Sequence, residues 1–348
     1  MKISSLSSRP LLVLLGAVLA SAPLARAADS YRFLKEIPVG GEGGWDYITV
    51  DPAAHRVYVT HATKVIVIDT QRDELAGEIA DTPGVHGVAI ARDLGRGFVS
   101  NGRENKVSVF DLATLKTLSK VETGDSPDAI LYDPTRKEVY AFNHRGKSVT
   151  VFAAESGKVE ATIALTGLPE FAQLDAKAGR IYVNIEDKSE VSVIDTKTRT
   201  VVAHWPIAPG EGPTGMEIDL AHHRLLVGCD DVLVMMDSAT GKVVATAPVG
   251  KGVDAVAFDP GTQLAFTSNG TSGTVTVIHV DSPDKLTVVQ TLATERGAKT
   301  MMVDPSTHKI YLGTAKYVIP PAKGGSTAKV RPAMIPGTFR VLIYGPAK

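Results

Sequence analysis

Seven residues recur along this chain at intervals of 40 to 45 positions: Asp46, His86, Asp128, Glu170, Thr214, Asp254 and Lys299. Four carboxylates and an imidazole in one periodic series are the donors a divalent cation takes, and Asp46, His86, Asp128, Glu170 and Asp254 are the candidate ligands. Carboxylates gathered at one place repel one another, which raises their pKa values unless a cation or a base offsets the charge. Trp45, Tyr47 and Phe171 flank the series and offer apolar surface, and Arg103 and Arg145 could steady an anionic group. The same residues also fit a plainer role, a solvated mouth in which each Asp accepts from backbone N–H groups at the start of its strand. A structural role is copied in every repeat, whereas a site shows as departures from it. Here His86, Glu170, Thr214 and Lys299 are the departures.

Five residues after each member of the series stands an anchor: Asp51, Ala91, Asp133, Asp175, Asp219, Asp259 and Asp304. Around each anchor runs one pattern: an apolar run ending on the anchor, a polar turn, a β-rich run, then an alternating run closing on an acid. Residues 256–260, 264–269 and 274–280 show it most clearly. Repeats of this length, filled with strand patterns and without helical periodicity, predict an all-β fold, a seven-bladed β-propeller of four-stranded blades. In such a blade the connection into the innermost strand and the connection between strands two and three share one rim. The whole series therefore converges on one mouth of the central channel. Arg103 and Arg145 reach the same rim from the second connection.

The ends of the chain predict how the ring closes. Residues 33–40 resemble a blade's outermost strand with no blade before them, as 242–250 do in the fifth blade. Residues 339–344 read as a third strand with no fourth after it. The N-terminal strand is thus expected to complete the last blade and remove an open edge. Residues 316–338, rich in Pro, Gly and Lys, read as a loop insertion in blade seven, because Pro320, Pro321, Pro332 and Pro336 cannot donate to a ladder.

Residues 1–27 read as a signal peptide: Lys2 and Arg9, an apolar stretch from Leu11 to Ala22, and Ala25-Arg26-Ala27 before the cut. That predicts an exported, periplasmic protein without a membrane span, and one propeller domain over residues 28–348. Removing Lys2, Arg9 and Arg26 from 37 basic residues leaves 34 against 38 acidic, a net charge of −4. Such a balance gathers neither nucleic acid nor anionic lipid. The single cysteine, Cys229, excludes an intrachain disulfide. There is no Cys-x-x-Cys-His for haem, no Gly-rich nucleotide loop, no His-Glu-x-x-His and no Gly-x-Ser-x-Gly. His222-His223 reads as a solvated turn on the far rim.

Val57-Tyr58-Val59-Thr60-His61, Arg180-Ile181-Tyr182-Val183-Asn184 and Val65-Ile66-Val67-Ile68-Asp69 resemble the YVTN repeat. With the leader, the chain resembles the YncE-like family of exported bacterial seven-bladed propellers. The resemblance implies fold and location; fold alone does not carry activity. It also implies a cysteine near Gly210 bridged to the one at Cys229, which this chain lacks. Two function classes follow. The first is a monomeric binding module that takes a small molecule or a protein partner at the rim, through Trp45, Asp46, His86, Arg103, Asp128, Arg145, Glu170, Phe171 and Asp254. The second is a lactonase-like hydrolase whose divalent ion activates water. Binding of single-stranded nucleic acid, with aromatic platforms in a basic groove, is a weaker third.

Overall fold

The computed structural model describes residues 30–318 and 332–347, so the leader expected over residues 1–27 lies outside the described residues. Seven four-stranded antiparallel sheets form the ring. Their innermost strands are Trp45–Asp51, Val85–Ala91, Pro127–Asp133, Pro169–Asp175, Gly215–Asp219, Val253–Asp259 and Lys299–Asp304, each ending on an expected anchor. No helix among the described residues is long and apolar enough to cross a membrane.

The repeat is chemical before it is architectural. The anchor carboxylates turn the chain from strand one into strand two by accepting backbone N–H groups. Asp133 Oδ1 takes Thr135 at 2.8 Å, Asp175 takes Ala178 at 2.9 Å, Asp259 takes Gly261 at 2.9 Å and Asp304 takes Ser306 at 2.9 Å. Ala91 has no such oxygen, and no side chain caps its turn. At the end of strand two, a buried Asn ties that strand to the third by donating to a hydroxyl seven residues on. The pairs are Asn101 to Ser108 (2.7 Å), Asn143 to Thr150 (3.0 Å) and Asn269 to Thr276 (2.9 Å). Each blade then buries its apolar faces against its neighbours, with Tyr58, Phe98, Tyr140, Phe152, Tyr182, Phe266 and Tyr311 among the largest buried side chains. Truncating one of these to alanine costs about 3–5 kcal/mol.

The last blade closes as its sequence requires. Tyr31–Pro38 pairs antiparallel with Arg340–Pro346, which pairs with Lys309–Thr314. Ile37 and Tyr31 bury their side chains while the residues between them face solvent. The Gln290 side chain of blade six clamps the new strand, accepting from Tyr31 N at 2.7 Å and donating to Tyr31 O at 2.8 Å. The expected insertion has an ordered stem. Tyr317–Val318 and Ala333–Met334 form a two-residue ladder, with residues 319–331 outside the described set. The Tyr317 ring lies 6.5 Å from that of Trp45, so the stem stands on the rim that carries the periodic series.

Candidate functional site

The innermost strands deliver the series to one mouth of the channel. His86 sits between two carboxylates, with Nδ1 2.5 Å from Asp46 Oδ2 and 3.6 Å from Asp128 Oδ1. Burial works against the charged imidazolium. The hydrogen bond to Asp46 and the charges of Asp128 and Asp46 outweigh it and push the His86 pKa up to about 9. Burial, reinforced by the Asp46 charge, raises the Asp128 pKa against the pull of His86. The next blade supplies Glu170, raised by burial and by the charge of Asp128.

Blades one and four meet across the channel beneath these groups. The Tyr47 hydroxyl donates to Glu170 O at 3.2 Å, and its ring meets Phe171 edge-on with centroids 5.2 Å apart. Together they form a bar under the carboxylates. Below the bar lies a cavity of about 400 Å³, lined by Leu131, Phe171, Phe258, Met302 and the polar pair Gln173 and Glu217. Gln173 Nε2 donates to Glu217 Oε2 at 3.1 Å, and burial pushes the Glu217 carboxyl up to about 8.

The remaining members of the series make contacts between neighbouring blades. Asp254 Oδ2 accepts from Thr300 N at 3.0 Å, and its other oxygen lies 3.6 Å from Lys299 Nζ. Asp254 joins neither cluster of metal-type donors described below. Thr214 Oγ1 donates to Val253 O at 2.9 Å. Trp45, expected as open apolar surface, instead is 6% exposed, stacks on Phe339 at 4.9 Å and donates its indole N–H to Lys299 O at 3.2 Å. His222 accepts its place on the far rim beside Asp219, 2.7 Å from Oδ2.

Five of the expected residues do share one space. Trp45, Asp46, His86, Arg103 and Arg145 line a rim crevice of about 680 Å³ between blades one, two and three, with Asp125 and Asn105. Gly84 is needed there: its φ is +64°, and a Cβ would lie 2.4 Å from Arg103 Cγ. Two donor clusters with metal-ligand spacing lie beside the crevice, Asp46–His86–Asp128 and Asp128–His144–Glu170, each with one donor atom per residue within 4.8 Å of the others. His144 had not been anticipated. It follows Asn143 at a post held by Ala62, Gly102, Gly270 and Ala315 in four blades and by Glu186 and Asp230 in two, so the repeat there carries only a weak signal.

No family model matches the chain. The chain is 28% identical over 148 residues to a Salmonella typhi protein described as uncharacterized protein YncE, and 27% identical to its Salmonella typhimurium counterpart. Each alignment takes in 41% of this chain and 42% of the relative, so the chain spans about two-fifths of the length of the curated relatives it matches. Together with the seven-bladed ring, this similarity supports the YncE-like resemblance. Among solved structures, Kuenenia stuttgartiensis hydrazine synthase superposes with a TM-score of 0.67 at 15% identity, over 85% of this chain and 96% of that one. At that identity the likeness is one of fold.

Proposed function

We propose that this protein is an exported, periplasmic binding module that takes a small anionic ligand in the rim crevice. One observation carries the reading. Arg103 and Arg145 line the same crevice, both are exposed, and neither guanidinium has an ion-pair or hydrogen-bond partner among the described residues. A guanidinium favours carboxylates and phosphates, which it holds by two parallel hydrogen bonds. The Asp46–His86 pair in the same crevice adds a donor and an acceptor for polar groups elsewhere on the ligand. Titration calorimetry with dicarboxylates and phosphomonoesters tests this. Saturable binding should weaken about tenfold or more in Arg103→Ala and in Arg145→Ala, and should fall with added salt. Binding indifferent to both arginines would discard the crevice.

A hydrolase reading is favoured by the two histidine–carboxylate clusters at the crevice edge. Turnover of a lactone panel that chelator abolishes and a divalent metal restores would put it in place of the binding module. A panel left untouched in both conditions would remove it.

A further inference from the structure

We propose that Asp128, His144 and Glu170 form a binding site for one divalent first-row transition-metal ion, with positions left open toward the rim. It goes beyond the crevice reading and does not depend on it. The three residues come from two adjacent blades. Asp128 stands near the start of Pro127–Asp133, His144 directly follows Glu138–Asn143, and Glu170 lies in Pro169–Asp175. The bond from His144 N to Ser126 O at 2.8 Å fixes the two blade-three segments against each other. One donor atom from each residue falls within 4.8 Å of the other two, close to the span that two bonds of about 2.0–2.2 Å bridge.

A second observation is independent of that clustering. Asp128 is 7% exposed, and its Oδ1 has no hydrogen-bond partner among the described residues. The nearest cationic nitrogen, His86 Nδ1, is 3.6 Å away, beyond a hydrogen bond. A buried carboxylate oxygen left without a hydrogen-bond donor is costly, and a directly coordinated metal ion would satisfy it where the His86 charge at 3.6 Å does not.

The surroundings match what metal ligands require. His144 Nδ1 lies 3.1 Å from the Pro169 carbonyl and 3.4 Å from Glu170 Oε1, so the ligand atom left to a metal is Nε2. A carbonyl only accepts, so Nδ1 carries the proton and Nε2 keeps the lone pair, the tautomer that outer partners impose on ligating histidines. Beyond Asp128 stands the Asp46–His86 pair, with His86 Nδ1 3.6 Å from Asp128 Oδ1, a charge beside the carboxylate rather than a hydrogen bond to it. The donor set selects the ion. Calcium and magnesium prefer all-oxygen ligation, whereas one imidazole with two carboxylates suits zinc, manganese, iron or cobalt. Two carboxylates also neutralise the charge of a divalent ion, and three protein ligands leave room for water or an exchangeable ligand.

The test uses the full exported chain after chelation and dialysis. Zn²⁺, Mn²⁺ and Co²⁺ are each titrated by equilibrium dialysis, and Co²⁺ is also followed by its visible absorption, which reports nitrogen–oxygen ligation. The expected result is a single ion per chain. Affinity should fall by about 100-fold or more in His144→Ala and in Glu170→Gln. Thermal melts of each metal-free variant confirm folding, and Asp128→Asn, which keeps the shape, guards against a loss caused by misfolding alone. Arg103→Ala should bind metal unchanged, which separates this site from the anion crevice. The proposal is overturned if none of the three ions saturates a site. It is equally overturned if His144→Ala binds like the parent, or if only His86→Ala loses the ion, which would put the metal between Asp46, His86 and Asp128.

Discussion

Tyr47 and Phe171, from blades one and four, meet edge to face across the channel with ring centroids 5.2 Å apart. This contact separates the carboxylate mouth above from the 400 Å³ cavity below. Three blades of sequence lie between the two rings, so neither local propensity nor a neighbouring strand holds them together.

The first prediction concerns that bar. Tyr47→Phe keeps the ring and loses the hydroxyl bond to Glu170 O, at a cost of about 1 kcal/mol. Tyr47→Ala loses the ring as well and should cost about 2–3 kcal/mol. Urea denaturation with a double-mutant cycle against Phe171→Ala should give a coupling of about 1 kcal/mol. Additive losses would show that the rings are neighbours without being partners.

The second concerns ring closure. Ile37 is 4% exposed in the strand that completes blade seven, while Phe33 in the same strand is 52% exposed. Ile37→Ala should therefore cost about 2–4 kcal/mol, and Phe33→Ala under about 1 kcal/mol. A chain starting at Val39 leaves the whole edge of Arg340–Pro346 unpaired, and should melt lower and self-associate on light scattering. A truncated chain that stays monomeric with the parent melting point would mean the strand is ornamental to the ring.

Much of this architecture was legible in the sequence, and the reason is physical. The anchor Asp and the buried Asn each satisfy backbone or hydroxyl partners within their own blade, as Asp133 and Asn143 do. A local requirement recurs from blade to blade, the anchor Asp in six and the Asn tie in three, so it leaves a period. Ring closure was legible because a third strand without a fourth, and a fourth without a blade, can satisfy their hydrogen bonds only in each other. What stayed hidden depends on single residues or on distances across the ring. His144 stands at a post that also varies in blades four and five, as Glu186 and Asp230. Tyr47 and Phe171 meet across the channel, a separation the period does not encode. Trp45 sits where an exposed aromatic would sit, and only the position of Phe339 shows that it is covered.

The third prediction follows from Glu217, whose carboxyl burial pushes up to about 8 against an ordinary 4.5. The folded state then holds a proton that the unfolded state has released. Its contribution to stability is complete below the ordinary carboxylate range and is lost as pH rises toward about 8. The slope is at most about 1.4 kcal/mol per pH unit. Denaturation midpoints of parent and Glu217→Gln, measured from pH 5 to about 8 in chelator, should diverge. The parent should fall with pH relative to the variant, and parallel curves would show that Glu217 titrates as a solvated acid.

The last prediction turns on Gly210 and Cys229. A Cβ built on Gly210 would lie 2.5 Å from Cys229 Sγ and 2.8 Å from Val234 Cγ2. For an alanine that approach is a clash, so Gly210→Ala should destabilise the fifth blade by about 1–3 kcal/mol. For a cysteine it is nearly a bond, since a disulfide places Cβ about 3 Å from the partner sulfur. Oxidised Gly210→Cys closes a loop of about 20 residues and should gain about 2–3 kcal/mol over its reduced form, read as a shift in urea midpoint. In the parent, Cys229 is wholly buried and burial pushes its thiol up to about 12, so it should resist a thiol reagent until the protein unfolds. The two substitutions differ by one sulfur atom yet are expected to move stability in opposite directions. If both destabilise equally under oxidising conditions, the strand ends do not have the freedom to form the bridge, and Gly210 is present because nothing larger fits.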